Sequence, residues 1–325
     1  MTNLPNANAI REAADRIAGW VKKTPVLSNL ELDARTGGKI FLKAECLQET
    51  GSFKLRGATN KIMQLTDAER TAGVVAWSTG NHAQGVAAAS HRLGISAKIV
   101  MPKDAPQAKL DGTKAYGAEV ILYDRSTDNR EEIGRRIARE ENRTVIPPYD
   151  DPEIICGQGT AGLELAQHAL EHGSYLDDVL VPASGGGLLA GTGIAVRDIS
   201  PGTLLFSVEP EGFDDHRRSL SQKNRETNTQ LTGSICDALL APRPGALTWK
   251  INRASLQGGY AVSDDDVLKA ISFAHKNLEV RLEPSGAITL AAVLNGTHNA
   301  KGRTVGLILS GGNVDEKMFN RALSH

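Results

Sequence analysis

Three cysteines are all that the 325 residues contain, Cys46, Cys156 and Cys236, and no two of them form a C-x-x-C pair. That usage supplies neither a disulfide framework nor a zinc site, and it fits a reducing compartment. Charge of one sign is missing too: the formal net charge is -1 with no basic run, which removes the electrostatic footprint of a nucleic-acid binder. No apolar run approaches the roughly 20 residues of a membrane span. The first twenty residues carry acids and a polar start, without an apolar core of signal-peptide length. A cytoplasmic protein with no membrane or nucleic-acid partner is the expectation. Internal repeats and low-complexity tracts are absent as well.

What is present is 40% hydrophobic and 23% charged, enough chain for two domains or one long doubly wound one. Ile10, Ala13, Ala14 and Ile17 fall at helical spacing and predict an amphipathic first helix ending near Trp20. A short apolar strand is expected at 39–43. Strand-like runs at 73–77, 97–101, 119–123, 178–182, 204–208 and 304–309 then alternate with helix-length segments rich in alanine and charge. Near-continuous apolar strands in βα alternation mean parallel sheet covered on both faces. The fold class is therefore α/β. Four strand–helix units between 69 and 150 read as an inserted smaller domain, with the larger domain in 1–68 and 151–325.

Two stretches carry the local chemistry. In S-F-K-L-R-G-A (52 to 58), Lys54 stands between Phe53 and Leu55 with Gly51 and Gly57 close by; a lysine held in such an apolar turn loses its charge readily and becomes a nucleophile. The alternative is a helix-start lysine in water. The second stretch, Ser184-Gly185-Gly186-Gly187, follows the strand D-V-L-V-P and opens a helix rich in alanine and glycine, so its backbone N–H groups converge where the helix dipole favours an anion. That is a phosphate cup. It also suits a dinucleotide-binding turn, since Glu209 ends the next strand about twenty residues on, where a ribose-binding acid is expected. Against that, the glycines at 185, 187 and 191 give G-x-G-x-x-x-G, one residue off the usual fingerprint.

With S-T-G-N-H (78 to 82), S-G-G-G-L (184 to 188), E-P-S-G (283 to 286) and L-S-G-G-N (309 to 313), the lysine motif makes an ordered set of five. This set resembles the fold-type II pyridoxal-phosphate enzymes, in the branch of the serine/threonine dehydratases and serine racemase that includes 3-hydroxyaspartate dehydratases. The resemblance runs from about Thr24 to about Asp315. It implies two doubly wound parallel-sheet domains of the tryptophan synthase β-like architecture, a homodimer, and an ammonia-lyase that removes water and ammonia from a β-hydroxy amino acid to leave a 2-oxo acid. The chain stops soon after the last motif, so the regulatory domain that biosynthetic threonine dehydratases append is not expected.

Roles follow by position. Lys54 would hold the cofactor aldehyde as a Schiff base and, once released by substrate, take the Cα proton. Phe53 would lie against the cofactor ring, Asn81 would bond the ring hydroxyl, and Ser184, Gly185, Gly186, Gly187 and Leu188 would form the phosphate site, with Glu283 also at the cofactor. Ser78, Thr79, Asn81 and the amide of His82 would hold the substrate carboxylate. Ser310 matches the hydroxyl that faces the pyridine nitrogen; a neutral partner makes the ring a weaker electron sink and favours prompt loss of the β-substituent, which the cofactor phosphate would protonate. Glu209 and Asp215, with the carbonyl of Phe213, match the cation site of the racemase-like members, and carboxylates plus a carbonyl suit magnesium, or calcium or manganese in its place. The other reading of those acids is a solvated acidic loop.

The chain departs from the family pattern in two places. Many members read A-D-G where this one reads Cys236-Asp237-Ala238, which implies a different backbone approach to the cofactor. At Thr79 racemases carry a serine that acts as acid and base; threonine keeps a hydroxyl but restricts χ1, so racemisation much slower than elimination is expected. Arg130 falls where racemases and 3-hydroxyaspartate dehydratases carry an arginine that reaches the active site, and a guanidinium there would take a second substrate carboxylate in a bidentate grip. The competing reading is a solvated helix arginine among Glu131, Arg135 and Arg136. Beside the dehydratase stand a serine or aspartate racemase-like enzyme, a nicotinamide-dependent oxidoreductase, and a cofactor-less binding protein on an old enzyme scaffold.

Overall fold

The computed structural model describes residues 4–78, 80–105 and 107–325 of the chain. In chain order its strands are β1 (Val26–Leu27), β2 (Lys39–Ala44), β3 (Val74–Trp77), β4 (Ala97–Pro102), β5 (Glu119–Tyr123), β6 (Thr144–Val145), β7 (Asp178–Pro182), β8 (Leu204–Pro210), β9 (Leu256–Val262) and β10 (Thr304–Leu309). The helices of the first half are α1 (Ala7–Ile17), α2 (Leu30–Thr36), α3 (Lys54–Met63), α4 (Asp67–Ala72), α5 (Asn81–Arg92), α6 (Gln107–Ala115) and α7 (Arg130–Glu140). Those of the second are α8 (Pro152–Glu171), α9 (Gly187–Ile199), α10 (Asp215–Gln222), α11 (Ala246–Ser255), α12 (Asp264–Leu278), α13 (Pro284–Leu294) and α14 (Glu316–Leu323).

The strands make two sheets. One has six strands in the order β1-β2-β10-β7-β8-β9, the other four in the order β5-β4-β3-β6. Every pairing is parallel except β1 against β2. The apolar runs predicted from the sequence are these central strands: β3, β7 and all but the first residue of β2 are buried, as strands covered by helices on both faces must be. The first helix ends three residues before Trp20, at Ile17, and buries Ile10, Ala13 and Ile17 as its spacing requires. Three strands were not anticipated, the two-residue β1 and β6 and the longer β9. β9 reads L-Q-G-G-Y-A-V, and two glycines in its middle erase the apolar signal that marks its neighbours.

Each sheet reverses its winding once. In the larger, β7, β8 and β9 run outward one way from the centre while β10 and β2 lie on the other side, so the order switches between β7 and β10. In the smaller, β3, β4 and β5 run one way and β6 the other, so the switch lies between β3 and β6. Ligands of open α/β sheets bind outside the carboxyl ends of the strands at these points. The stretches that leave the two switches are Ser184–Gly187 after β7, Gly311–Asn313 after β10, Ser78–His82 after β3 and Ile146–Tyr149 after β6. The motifs sit where the topology opens a crevice.

The core against the small sheet does not stop at that sheet's own strands and helices. Leu55, Ala58 and Ile62 of α3, with Leu65 and with Ile154 of α8, pack into one cluster with Val74, Ala76 and Ile99. α3 begins without a side-chain cap. Its Gly57 N–H is instead taken by Oε1 of Gln158 on α8 at 3.1 Å, one of the orphan donors that a helix start must satisfy.

Candidate active site

A short zipper fixes where α3 starts. Ser52 bridges Gly311 in antiparallel fashion, and the Phe53 N–H donates to the Ser310 carbonyl at 3.2 Å. Lys54 is the next residue, so the lysine motif is pinned to the end of β10. Its amine donates to the carbonyl of Pro148 at 2.7 Å and lies 5.1 Å from the centre of the Phe53 ring. Burial pushes the amine down to about 8 from its ordinary 10.5, because desolvation disfavours the charged form. α5 packs directly against this first turn at Gly85, where a Cβ would come within 3.0 Å of the Lys54 carbonyl carbon; only a glycine lets the two helices approach so closely.

From the small-sheet side come Ser78, whose hydroxyl accepts from the Gly80 N–H at 3.2 Å, and Asn81 and His82, which open α5. Thr79, between them, lies outside the described residues. Asn81 crosses to the large lobe: its Nδ2 donates to Glu283 Oε1 at 2.6 Å, and its Oδ1 accepts from Asn313 Nδ2 at 2.7 Å. Glu283 is buried at the cap position of α13. Burial first, and then the charge of Asp237, push its carboxyl up to about 8. The His82 ring turns away, with Nε2 2.8 Å from the Ile146 carbonyl. Since a carbonyl only accepts, Nε2 carries the proton, and burial together with the Lys54 charge pushes this imidazole down to about 3. His82 is a neutral, structural ring whose backbone faces the turn.

On the large-sheet side, Gly186 has φ +91 and ends the turn Ser184–Gly187 in the left-handed region, with α9 starting at the next residue. Leu188 is buried in the core behind it. Ser310 ends β10, buried, its hydroxyl 3.4 Å from the Ser285 carbonyl. In the stretch Cys236-Asp237-Ala238, the Ala238 N–H donates to Ser285 Oγ at 3.1 Å, so this departure from the family pattern leans on the same start of α13. Lys109 of α6 reaches Asp237 at 3.1 Å and ties the lobes together at the cleft.

The predicted residues therefore fall into one cluster and two outliers. The Phe53 N–H bonds Ser310 with Lys54 next in line, Asn81 bonds Glu283, and the Glu283 N–H joins the two groups by donating to the Gly311 carbonyl at 3.1 Å; Ser78 and His82 flank Asn81. The acids form a neighbouring group. Glu209, at the end of β8, accepts the His216 N–H at 2.7 Å and the Arg217 N–H at 2.9 Å. Asp215 Oδ1 accepts from Asn228 at 2.8 Å, while its Oδ2 is buried with no partner among the described residues. No cluster of three His, Cys, Asp or Glu side chains occurs among the described residues; the predicted set is two carboxylates and the carbonyl of Phe213. Arg130 opens α7 on the surface and makes no ion pair among the described residues, whereas Arg135 pairs with Glu131 at 2.6 Å and Arg136 with Glu140 at 3.7 Å.

Several site residues escaped the sequence reading. Tyr149 packs on the glycine turn so tightly that a Cβ on Gly185 would meet its ring at 2.2 Å. Burial, Asp150, Glu131 and Asp215 raise its phenol while the Arg130 charge opposes them. Asn313, inside the L-S-G-G-N motif but given no role, donates to Thr50, Asn81 and Gln84. The signal for Tyr149 is an aromatic residue just past Pro147-Pro148, on the strand-end loop beside the switch.

The model of a family described as pyridoxal-phosphate dependent enzyme matches residues 17–311. An L-threo-3-hydroxyaspartate ammonia-lyase from a Pseudomonas species is 43% identical over 316 residues, 97% of this chain and 98% of that protein. A catabolic L-threonine dehydratase of Escherichia coli K12 is 41% identical over 310 residues, 94% of this chain and 92% of that one. The structure of maize serine racemase superposes with a TM-score of 0.92 at 38% identity, covering 99% of this chain and 98% of that one. With the lysine, the glycine turn and the strand-end hydroxyl arranged around one crevice, the chain belongs to the pyridoxal-phosphate dependent enzymes.

Proposed function

We propose that this protein is a pyridoxal-phosphate dependent ammonia-lyase that removes water and ammonia from a β-hydroxy amino acid, with a 3-hydroxyaspartate isomer as its preferred substrate. The observation that carries the lyase reading is the Lys54 amine, desolvated to a pKa of about 8 at the topological switch points and 2.7 Å from a carbonyl that keeps it in place. The nicotinamide reading has no equivalent use for such an amine.

The residues fit the cofactor on their own geometry. A left-handed glycine at the start of α9 leaves backbone N–H groups and no side chain where a phosphate would lie. Ser184 to Leu188 would hold the phosphate, Phe53 the ring face, Asn81 with Glu283 the ring hydroxyl, and Ser310 the ring nitrogen. When bound, the cofactor supplies an electron sink for the bond broken at Cα. Lys54, neutral once it gives up its bond to the cofactor, takes the Cα proton. Ser78, Asn81 and the His82 N–H orient the substrate carboxylate. Thr79 belongs to the same turn and is proposed as a substrate contact. With the β-hydroxyl lost as water, the released enamine hydrolyses to the 2-oxo acid and ammonia.

Arg130 sets the substrate. It is exposed and, among the described residues, makes none of the ion pairs that occupy Arg135 and Arg136, and its charge acts against the raised Tyr149 phenol. The activity named for the Pseudomonas relative supports the same choice. Charge-assisted bonds to a desolvated carboxylate are worth roughly 1.5–3 kcal/mol. In a 2-oxo acid release assay, a 3-hydroxyaspartate isomer is expected to exceed serine and threonine, and Arg130→Ala to lower kcat/KM for it at least about tenfold while sparing serine. Equal losses on both substrates, or threonine as the best substrate of the wild type, would return the protein to general serine/threonine dehydratases.

Three further readings go with this one. Glu209, Asp215 and the Phe213 carbonyl are proposed to hold a structural magnesium, calcium or manganese ion. A homodimer in a reducing cytoplasm is proposed, consistent with three buried free cysteines. The small lobe is proposed to begin at Lys54 and end near Ile154, because α3 and the start of α8 share its core.

A further inference from the structure

The carbonyls of the glycine turn are all occupied from behind. Ser184 O accepts from His216 Nε2 at 2.7 Å. Gly185 O accepts from the Thr248 hydroxyl at 2.6 Å and the Gly245 N–H at 3.1 Å. Gly186 O accepts from Asn252 Nδ2 at 3.2 Å and from the Ala190 N–H at 2.9 Å. His216, Thr248 and Asn252 are fully buried and reach the turn from α10 and α11. A trans peptide group is planar, with its C=O and the following N–H pointing opposite ways. Fixing the carbonyls of residues 184, 185 and 186 therefore fixes the N–H groups of Gly185, Gly186 and Gly187 on the other side.

Gly186 shows how closely this frame is built. A Cβ there would strike His216 Cε1 at 2.7 Å and Asn252 Nδ2 at 2.8 Å, and its φ of +91 already favours glycine. The frame is also polar beyond what the turn uses: His216 Nδ1 and Asn252 Oδ1 are buried without a partner among the described residues. A histidine and an asparagine kept in the interior at that cost are there for the bonds they do make.

We infer that His216, Thr248 and Asn252 are positioning residues that aim the N–H groups of Gly185, Gly186 and Gly187 at the cofactor phosphate, acting through the backbone without touching the cofactor. The inference rests on the reading of Ser184–Gly187 as the phosphate cup. It separates two parts of cofactor binding, since the frame governs the phosphate and leaves the aldehyde and ring to Lys54 and Phe53.

The test titrates the cofactor-free full-length protein with pyridoxal phosphate and with pyridoxal, which lacks the phosphate, following absorbance. Wild type binds pyridoxal phosphate far more tightly than pyridoxal; equal affinities would refute the cup itself. Thr248→Val and Asn252→Leu are expected to weaken pyridoxal phosphate at least about fivefold, the worth of one or two well-aimed hydrogen bonds, and to change pyridoxal less than twofold. Thr248→Ser, which keeps the hydroxyl, restores the wild-type value, and the 31P resonance of bound cofactor shifts in Thr248→Val but not in Thr248→Ser. Unchanged phosphate discrimination in Thr248→Val and Asn252→Leu, or parallel loss of both ligands, overturns the inference. His216→Phe is the harsher variant; should it not fold, the Thr248 pair decides alone.

Discussion

Burial alone brings the Lys54 amine down from its ordinary 10.5 to about 8, and the Pro148 carbonyl holds it in place. The folded-state value lies below the ordinary 10.5, so the neutral, nucleophilic form accumulates as pH rises through about 8 rather than two units higher. The rate at which cofactor-free protein takes up pyridoxal phosphate should therefore climb between about pH 7 and 9 and then level; stopped-flow absorbance measures it, and an inflection at the ordinary lysine value would contradict the desolvated amine. Lys54→Ala should fold and show neither uptake nor turnover. Lys54, Asn81, Glu283 and Ser310 were legible because each belongs to a short motif whose residues act together. Tyr149, His216, Thr248 and Asn252 were not, since their partners stand far off in sequence: His216 meets Ser184 across 32 residues and Asn252 meets Gly186 across 66. Only the folded chain brings such pairs within bonding distance.

At the scale of elements, what holds the lysine helix in place is a charge cluster beneath it. Arg56, fully buried one turn into α3, bonds Glu45 through Nε and Nη2 at 2.8 and 2.9 Å and Glu164 of α8 through Nη1 and Nη2 at 2.8 Å. Lys43 of β2 pairs with the same Glu164. Burial opposes every one of these charges, yet the guanidinium still holds Glu45 below the usual carboxylate range. Removing one partner of such a group strands the others in a low dielectric, which costs about 3–5 kcal/mol. Arg56→Ala is expected to lose about that much in urea unfolding, whereas breaking the exposed pair Lys269–Asp265 should leave the midpoint nearly unmoved; equal effects would make the cluster ordinary. The apolar strands were readable from their runs alone. Arg56 was not legible, because no periodicity distinguishes an arginine caught between Glu45 and Glu164 from one in water.

For the molecule as a whole, the proposed cation makes a measurable difference. A ligand that binds only the folded state stabilises it by mass action, about 2.7 kcal/mol at a hundredfold excess over its Kd. Chelator should lower Tm, added magnesium or calcium should restore it, and Asp215→Ala should make the protein indifferent to both. A Tm that ignores chelator would return Glu209 to its other visible job, accepting the N–H groups of His216 and Arg217 at the start of α10.

Lys54 opens α3, and Ile146, Pro148 and Tyr149 lie in the loop between β6 and α8. The amine donates to the Pro148 carbonyl in that loop, so the proposed base is anchored where the chain leaves the small sheet. A rotation of the small sheet about this loop would swing Ser78, Asn81 and His82 away from Glu283 and Asn313, but would leave the Lys54–Pro148 contact almost still. Opening of that kind would release the carboxylate end of a product, while Lys54 would keep its hold on a bound cofactor at the pivot from one cycle to the next.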